Sequence, residues 1–350
     1  MQTEKRNSEV WSHWTKGSRR PQRFLPLIFC LPLAVFCFSP ALAQDELPPP
    51  PAAIAHRDDE IETIRVDTEL VDLNVSVFSR QPQRPIGELR REDFAVLEND
   101  TPEEISFFAS TATPFDLVLL LDLSGSVKVD VVRKAARRFI EAARPSDRIG
   151  IVTFTEQYYV VSPLTTDRES LIKSVRKIDR AIGGTNFWDA LHFVLKHIFG
   201  SPTASRRQAV VVMSDGVDNA LPDIKGVGST VTFDELLELV KTSDAIVIPI
   251  YLDTEREEVK RGRATPETFQ IARRQLGELA GESGSLLYHA RKVEDLRGVY
   301  EQVIRDLGTV YSIGYQPKNR RRDGSWRSVS VRLVNRPDLA ARTRRGYYAR

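Results

Sequence analysis

Asp122, Ser124 and Ser126 stand at alternate positions in Asp122-Leu123-Ser124-Gly125-Ser126, directly after the largely apolar run from Phe115 to Leu121. One carboxylate and two hydroxyls released from a buried strand into a turn can point at a single hard cation. Mg²⁺ takes about six oxygens at roughly 2.1 Å and keeps several waters, so one or two carboxylates plus neutral oxygens suffice to hold it. A second apolar run, Ala209 to Met213, ends in Ser214-Asp215-Gly216 and delivers another carboxylate. Between the two runs lies Gly183-Gly184-Thr185-Asn186, a glycine-loosened loop with one more hydroxyl. Asp122, Ser124, Ser126, Thr185 and Asp215 together offer five protein oxygens.

Those residues need strands to carry them. Apolar runs and helical patterns alternate through the middle of the chain: strand 116–121, helix 128–144, strands 148–154 and 158–161, helices 168–179 and 187–199, strand 209–213, helix 233–242, strand 245–252, helix 267–280, strand 285–288 and helix 293–307. The gap before Tyr158 is too short for a crossover, so that strand must turn back antiparallel and lie at an edge. The pattern predicts an α/β domain with a doubly wound, mostly parallel sheet and one antiparallel edge strand. In such sheets a ligand sits beyond the carboxyl ends of the strands where the winding reverses, which is where Asp122 and Asp215 fall.

The order Asp-x-Ser-x-Ser, then Gly-Gly-Thr, then Ser-Asp-Gly resembles the metal-ion-dependent adhesion site of von Willebrand factor A domains, over roughly Phe115 to Gly308. The resemblance implies that Asp122, Ser124 and Ser126 sit on a first loop, Thr185 on a second and Asp215 on a third. Together they would hold a divalent cation, Mg²⁺ or else Mn²⁺ or Ca²⁺. It further implies a non-catalytic binding protein in which the cation takes a carboxylate from an acidic residue of a partner protein. In the family, loop movement at the metal couples to the last helix, here 293–307.

Other chemistry fits less well. Ser and Asp after a strand often cap the next helix, and Ser126 could do only that, but capping does not explain five converging oxygens. No Gly-x-Ser-x-Gly surrounds Ser124, Ser214 or Ser283. His192 and His197 are five apart rather than the four that put two imidazoles on one helix face for zinc, and His289 ends a strand. Asp189 reads as a cap or support for the site rather than a ligand. A Mg²⁺-dependent phosphoryl-transfer enzyme would want a second carboxylate and a lysine nearby; Asp218 is the candidate acid, though a turn residue by default, and Lys128 faces away along its helix. A structural alternative has the metal pin three loops of an envelope complex.

Residues 1–43 read as a signal peptide: Lys16, Arg19, Arg20 and Arg23 precede the apolar stretch from Phe24 to Phe38, and Ala41-Leu42-Ala43 offers a cleavage site. At 15 residues with two prolines the stretch falls short of the ~20 that span a bilayer. The expected location is periplasmic or secreted. Both cysteines, Cys30 and Cys37, lie inside this segment, so the remainder has no thiol for a disulfide, a zinc site or a nucleophile. It also carries 44 Lys/Arg against 46 Asp/Glu, a balance that selects no class of partner.

Residues 44–59 form a Pro-rich linker. Segments 60–112 and 310–350 carry short alternating strands and are expected to build one small β domain around the central domain of 113–309. The last segment is basic, with eleven Lys/Arg from Lys318 onward against Asp323 and Asp338. It could meet a membrane surface, but nucleic acid does not suit an exported protein, and Val329, Val331 and Leu333 alternate with Ser328, Ser330 and Arg332 as a half-buried strand with a basic wet face does.

Overall fold

The computed structural model describes residues 70–79, 86–109, 113–125, 128–179, 183–200, 206–291 and 295–349. Residues 1–43, the linker and the first ten positions of segment 60–112 lie outside that set, as does Ser126.

The amino-terminal strands are β1 (Val71–Ser79), β2 (Phe94–Glu98), β3 (Thr101–Glu103) and β4 (Ile105–Ala109), of which β2 alternates in burial along its whole length. Between β2 and β3 the turn is Asn99 and Asp100 alone, both with positive φ, which is the backbone of a two-residue hairpin of the primed type. Thr101 and Pro102 lie in β3, which pairs with β2.

In β5 (Phe115–Asp122) every residue is buried, as expected of a strand covered on both faces. It is followed by α1 (Val129–Ala142), β6 (Arg148–Phe154), β7 (Tyr158–Thr165), α2 (Arg168–Arg176) and α3 (Phe187–Phe193), which runs on as a π-helical turn, Val194–Ile198. Next come β8 (Arg207–Ser214), α4 (Phe233–Thr242), β9 (Ile246–Leu252), α5 (Glu255–Lys260), α6 (Pro266–Glu282), β10 (Tyr288–Ala290) and α7 (Leu296–Leu307). Two differences stand out. The expected strand at 285–288 begins only at Tyr288, and the six-residue α5 was not anticipated, because its Glu-rich, charged sequence carries no apolar period.

These strands form one six-stranded sheet in the order β10-β9-β8-β5-β6-β7. All neighbours are parallel except β6 and β7, the antiparallel edge. From β5 the chain winds outward to β6 and β7, then returns to β8 on the other side of β5 and winds outward again. Alternate β5 residues feed two cores: Leu117, Leu119 and Leu121 pack with α1, α2 and α7, whereas Val118 and Leu120 pack with α3, α4 and α6.

The chain closes with β11 (Val310–Tyr315), β12 (Trp326–Leu333), β13 (Leu339–Arg342) and β14 (Gly346–Tyr348). Strands from both ends interleave in two four-stranded sheets, β13-β1-β11-β4 and β14-β12-β2-β3. Val75, Ile313 and Tyr315 from the first share one apolar core with Val96, Val329 and Val331 from the second. β13 has no alternating apolar signature, and its pairing with β1 is what makes it a strand. Among the described residues, no helix is long and apolar enough to cross a membrane.

Candidate metal centre

Asp122 ends β5 and Asp215 directly follows β8, the adjacent strand, so two carboxylates leave the sheet side by side at the point where the winding reverses. Each is held by the same local device. Asp122 Oδ1 accepts the Ser124 amide at 2.8 Å and Asp215 Oδ1 accepts the Val217 amide at 3.1 Å, the i to i+2 bond that turns a chain at an aspartate. Gly216 follows with φ +75°, and a Cβ there would come within 2.7 Å of Leu276. A glycine is needed on both counts.

Asp122 is fully buried. Its second oxygen accepts the Ser214 hydroxyl at 2.6 Å, a bond between neighbouring strands, and Ser214 Oγ in turn accepts the Gly216 amide at 2.9 Å. The donors to Asp122 are all neutral. Burial and then the charge of Asp215 push its carboxyl well above the ordinary carboxylate range. Asp215 Oδ2 accepts the Thr254 hydroxyl at 2.6 Å, from the turn after β9.

Thr185 reaches the same place from the loop before α3. Its amide donates to Asn219 Oδ1 at 3.1 Å and its carbonyl accepts the Asn219 amide at 2.8 Å, so the second and third loops clasp through a two-way bridge. The approach is tight: a Cβ on Gly184 would lie 1.7 Å from the Asn219 side chain. Ser124, Thr185 and Asp215 then line one open cavity of about 490 Å³. Of the five residues singled out in the sequence, the structure brings together Asp122, Ser124, Thr185 and Asp215; Ser126 lies outside the described residues.

The donor set suits a hard divalent cation. It offers carboxylate and hydroxyl oxygens, with two buried carboxyl groups in one cleft and only neutral hydrogen-bond donors on Asp122. Among the described residues no group of three or more His, Cys, Asp or Glu side chains converges as a metal cage, so any metal here would depend on hydroxyls and water.

Sequence reasoning missed three contributors. Ser214 and Thr254 bond the two aspartates, and Thr254 sits 39 residues from its partner, with no local signal to mark it. Asp218, which reads as a turn residue, is fully buried and accepts the Trp188 and Ala220 amides and both the amide and hydroxyl of Ser229. Asp189 accepts the Thr230 and Val231 amides at 3.0 and 2.9 Å, which ties α3 to the loop before α4.

Residues 116–242 match the family model of the von Willebrand factor type A domain. Over 211 residues the chain is 25% identical to a UPF0353 protein of Nocardia farcinica, covering 55% of this chain and 63% of that protein. It is 31% identical over 116 residues to an uncharacterized protein of Borreliella burgdorferi, covering 30% and 33%. The chain thus spans less than two thirds of the length of either relative. Similar solved structures include the vWF domain of the type V pili tip protein Mfa5 from Porphyromonas gingivalis, 13% identical over 56% of this chain and 95% of that one, TM-score 0.42. Another is proximal thread matrix protein 1 from the mussel byssus with a zinc-occupied MIDAS motif, 17% identical over 55% and 48%, TM-score 0.41.

Proposed function

Since residues 116–242 of this chain are a von Willebrand factor type A domain, we propose that the protein is an exported, non-catalytic binding protein that captures a carboxylate of a partner protein at a divalent cation. Asp122, Ser124, Ser126, Thr185 and Asp215 would hold the cation, Mg²⁺ or Mn²⁺, directly or through water. The observation that carries this reading is the pair of aspartates at adjacent strand ends, one fully buried among neutral donors, beside two hydroxyls that open on a cleft. A bound divalent cation supplies a positive, oxygen-seeking charge at the cleft floor.

The protein's own groups set the orientation. Thr254 fixes one oxygen of Asp215, Ser214 fixes one oxygen of Asp122, and the Asn219 bridge fixes the Thr185 loop. Export rests on the sequence of residues 1–43.

Two observations weigh against the alternatives. Asp218 and Asn219 already fasten the loops that a purely structural metal would be needed to pin. Asp218 also spends both oxygens on four donors, so it does not serve as the extra acid of a phosphoryl-transfer site.

Titration calorimetry with Mn²⁺ and Mg²⁺ tests the centre. One ion per chain is expected for the wild type, with at least a tenfold loss of affinity in Asp122→Ala/Asp215→Ala. Equal binding by the two proteins would sink the assignment.

A further inference from the structure

The cleft has a basic wall that the cation's own ligands do not require. Glu258 on α5 is only 6% exposed, and its two oxygens separately hold Arg261 at 2.6 Å and Arg263 at 3.4 Å. Gly262, at φ +65°, turns the backbone between the two arginines, and the Arg263 amide returns to the Glu258 carbonyl at 3.0 Å. One buried carboxylate therefore steadies two guanidinium groups that remain about half exposed. Both line the cavity that Ser124, Thr185 and Asp215 line. Arg263 stands close to the first loop: its Nη1 would lie 3.7 Å from a Cβ on Gly125.

The charges on the cavity lining are Lys225, Arg261 and Arg263 against Asp215, Asp223 and Glu258. Asp215 is the cation's proposed ligand and Glu258 is buried against the arginines. These three positive and three negative groups balance before any cation is counted, and a cation that offsets Asp215 leaves the face that meets an incoming group, with the two guanidiniums, Lys225 and Asp223, net positive. A guanidinium presents a planar fork of donors that matches a carboxylate, and one tethered by a buried acid is already oriented for it.

We propose that the cleft recognises an acidic peptide segment through two carboxylates, the first at the cation and the second on Arg261 and Arg263. This rests on the carboxylate-capture reading and adds the identity of its partner: a segment with acidic side chains at positions i and i+2. In an extended chain those side chains lie on one face about 7 Å apart, so that one can meet the cation while the other meets the arginines that line the same cavity.

The test uses the full chain and two short fluorescent peptides, one carrying a single aspartate and one carrying aspartates at i and i+2, titrated by anisotropy in Mg²⁺ and in EDTA. The two-acid peptide should bind the wild type about tenfold more tightly than the one-acid peptide. In Arg261→Gln/Arg263→Gln that gain should shrink to less than twofold, while Mn²⁺ affinity and one-acid binding stay at wild-type values. A gain that survives in the variant overturns the second anchor and leaves capture intact. Equal loss of both peptides in the variant overturns it too, because the arginines would then act as a general field. Failure of both peptides to bind, or binding that persists in EDTA, overturns carboxylate capture and the second anchor with it.

Discussion

Glu98 on β2 and Arg327 on β12 face each other at 3.2 Å with both side chains only 3% exposed, joining positions 229 residues apart in the sequence. Glu98 also accepts the hydroxyls of Tyr315 at 2.7 Å and Tyr347 at 2.8 Å, and Arg327 donates to the carbonyls of Asn319 and Arg321. One carboxylate thus connects β2, β11, β12 and β14. Desolvating the pair consumes much of its attraction, but removing one partner strands the other charge in the core. Glu98→Gln or Arg327→Met should each cost about 3–5 kcal/mol by urea denaturation. The double variant should cost clearly less than the sum, and strict additivity would show that the pair is not coupled.

The strands of segments 60–112 and 310–350 share both outer sheets: β1, β2 and β4 each lose a neighbour without the carboxyl-terminal segment, which leaves only the β2–β3 pairing within the amino-terminal strands. Truncation after Gly308 should therefore expose Val71–Ala109 to protease within the time the full chain stays intact. Unchanged protection of that segment would show that it folds without β11 to β14.

Gly184 is fixed by the close passage of Asn219, so Gly184→Ala should push the Thr185 loop away from the cleft. The expected result is a loss of roughly 1–3 kcal/mol of stability from overpacking, with Mn²⁺ affinity falling about tenfold. Asp218→Ala leaves the buried Trp188 amide and three partly buried donors without their acceptor and should cost about 3 kcal/mol. Wild-type melting of either variant would contradict this packing.

Asp116 gives a pH dependence of known sign. Burial opposes its charge, but hydrogen bonds and attraction from Arg148 and Arg206 outweigh that penalty and hold its carboxyl below the usual range. With the folded value depressed, its contribution is complete above the unfolded value of about 3.9 and is lost as pH falls through the folded value. The acid limb of a melting-temperature profile should be flatter in Asp116→Asn, whose Tm should lie below wild type at neutral pH. Parallel acid limbs would remove Asp116 from the account.

Much of the centre was legible because it depends on position along a strand. A carboxylate at the end of a fully buried run is delivered to the sheet's edge whatever its neighbours are, so Asp122 and Asp215 needed no tertiary information, and the short link before β7 required an antiparallel edge. The period of two also held an unused signal: Arg327 shares the inward face with Val329 and Val331, which marked it for a buried partner. Strand order, and with it the partners, came only from the tertiary structure. Thr254 reaches Asp215 because β9 lies beside β8, Asp218 is buried because α3 and the Ser229 loop close over it, and β13 exists because β1 offers it an edge. A sequence fixes which side chains a strand end presents, whereas burial and hydrogen-bond partners depend on which distant segments pack there, and local periodicity carries no term for that.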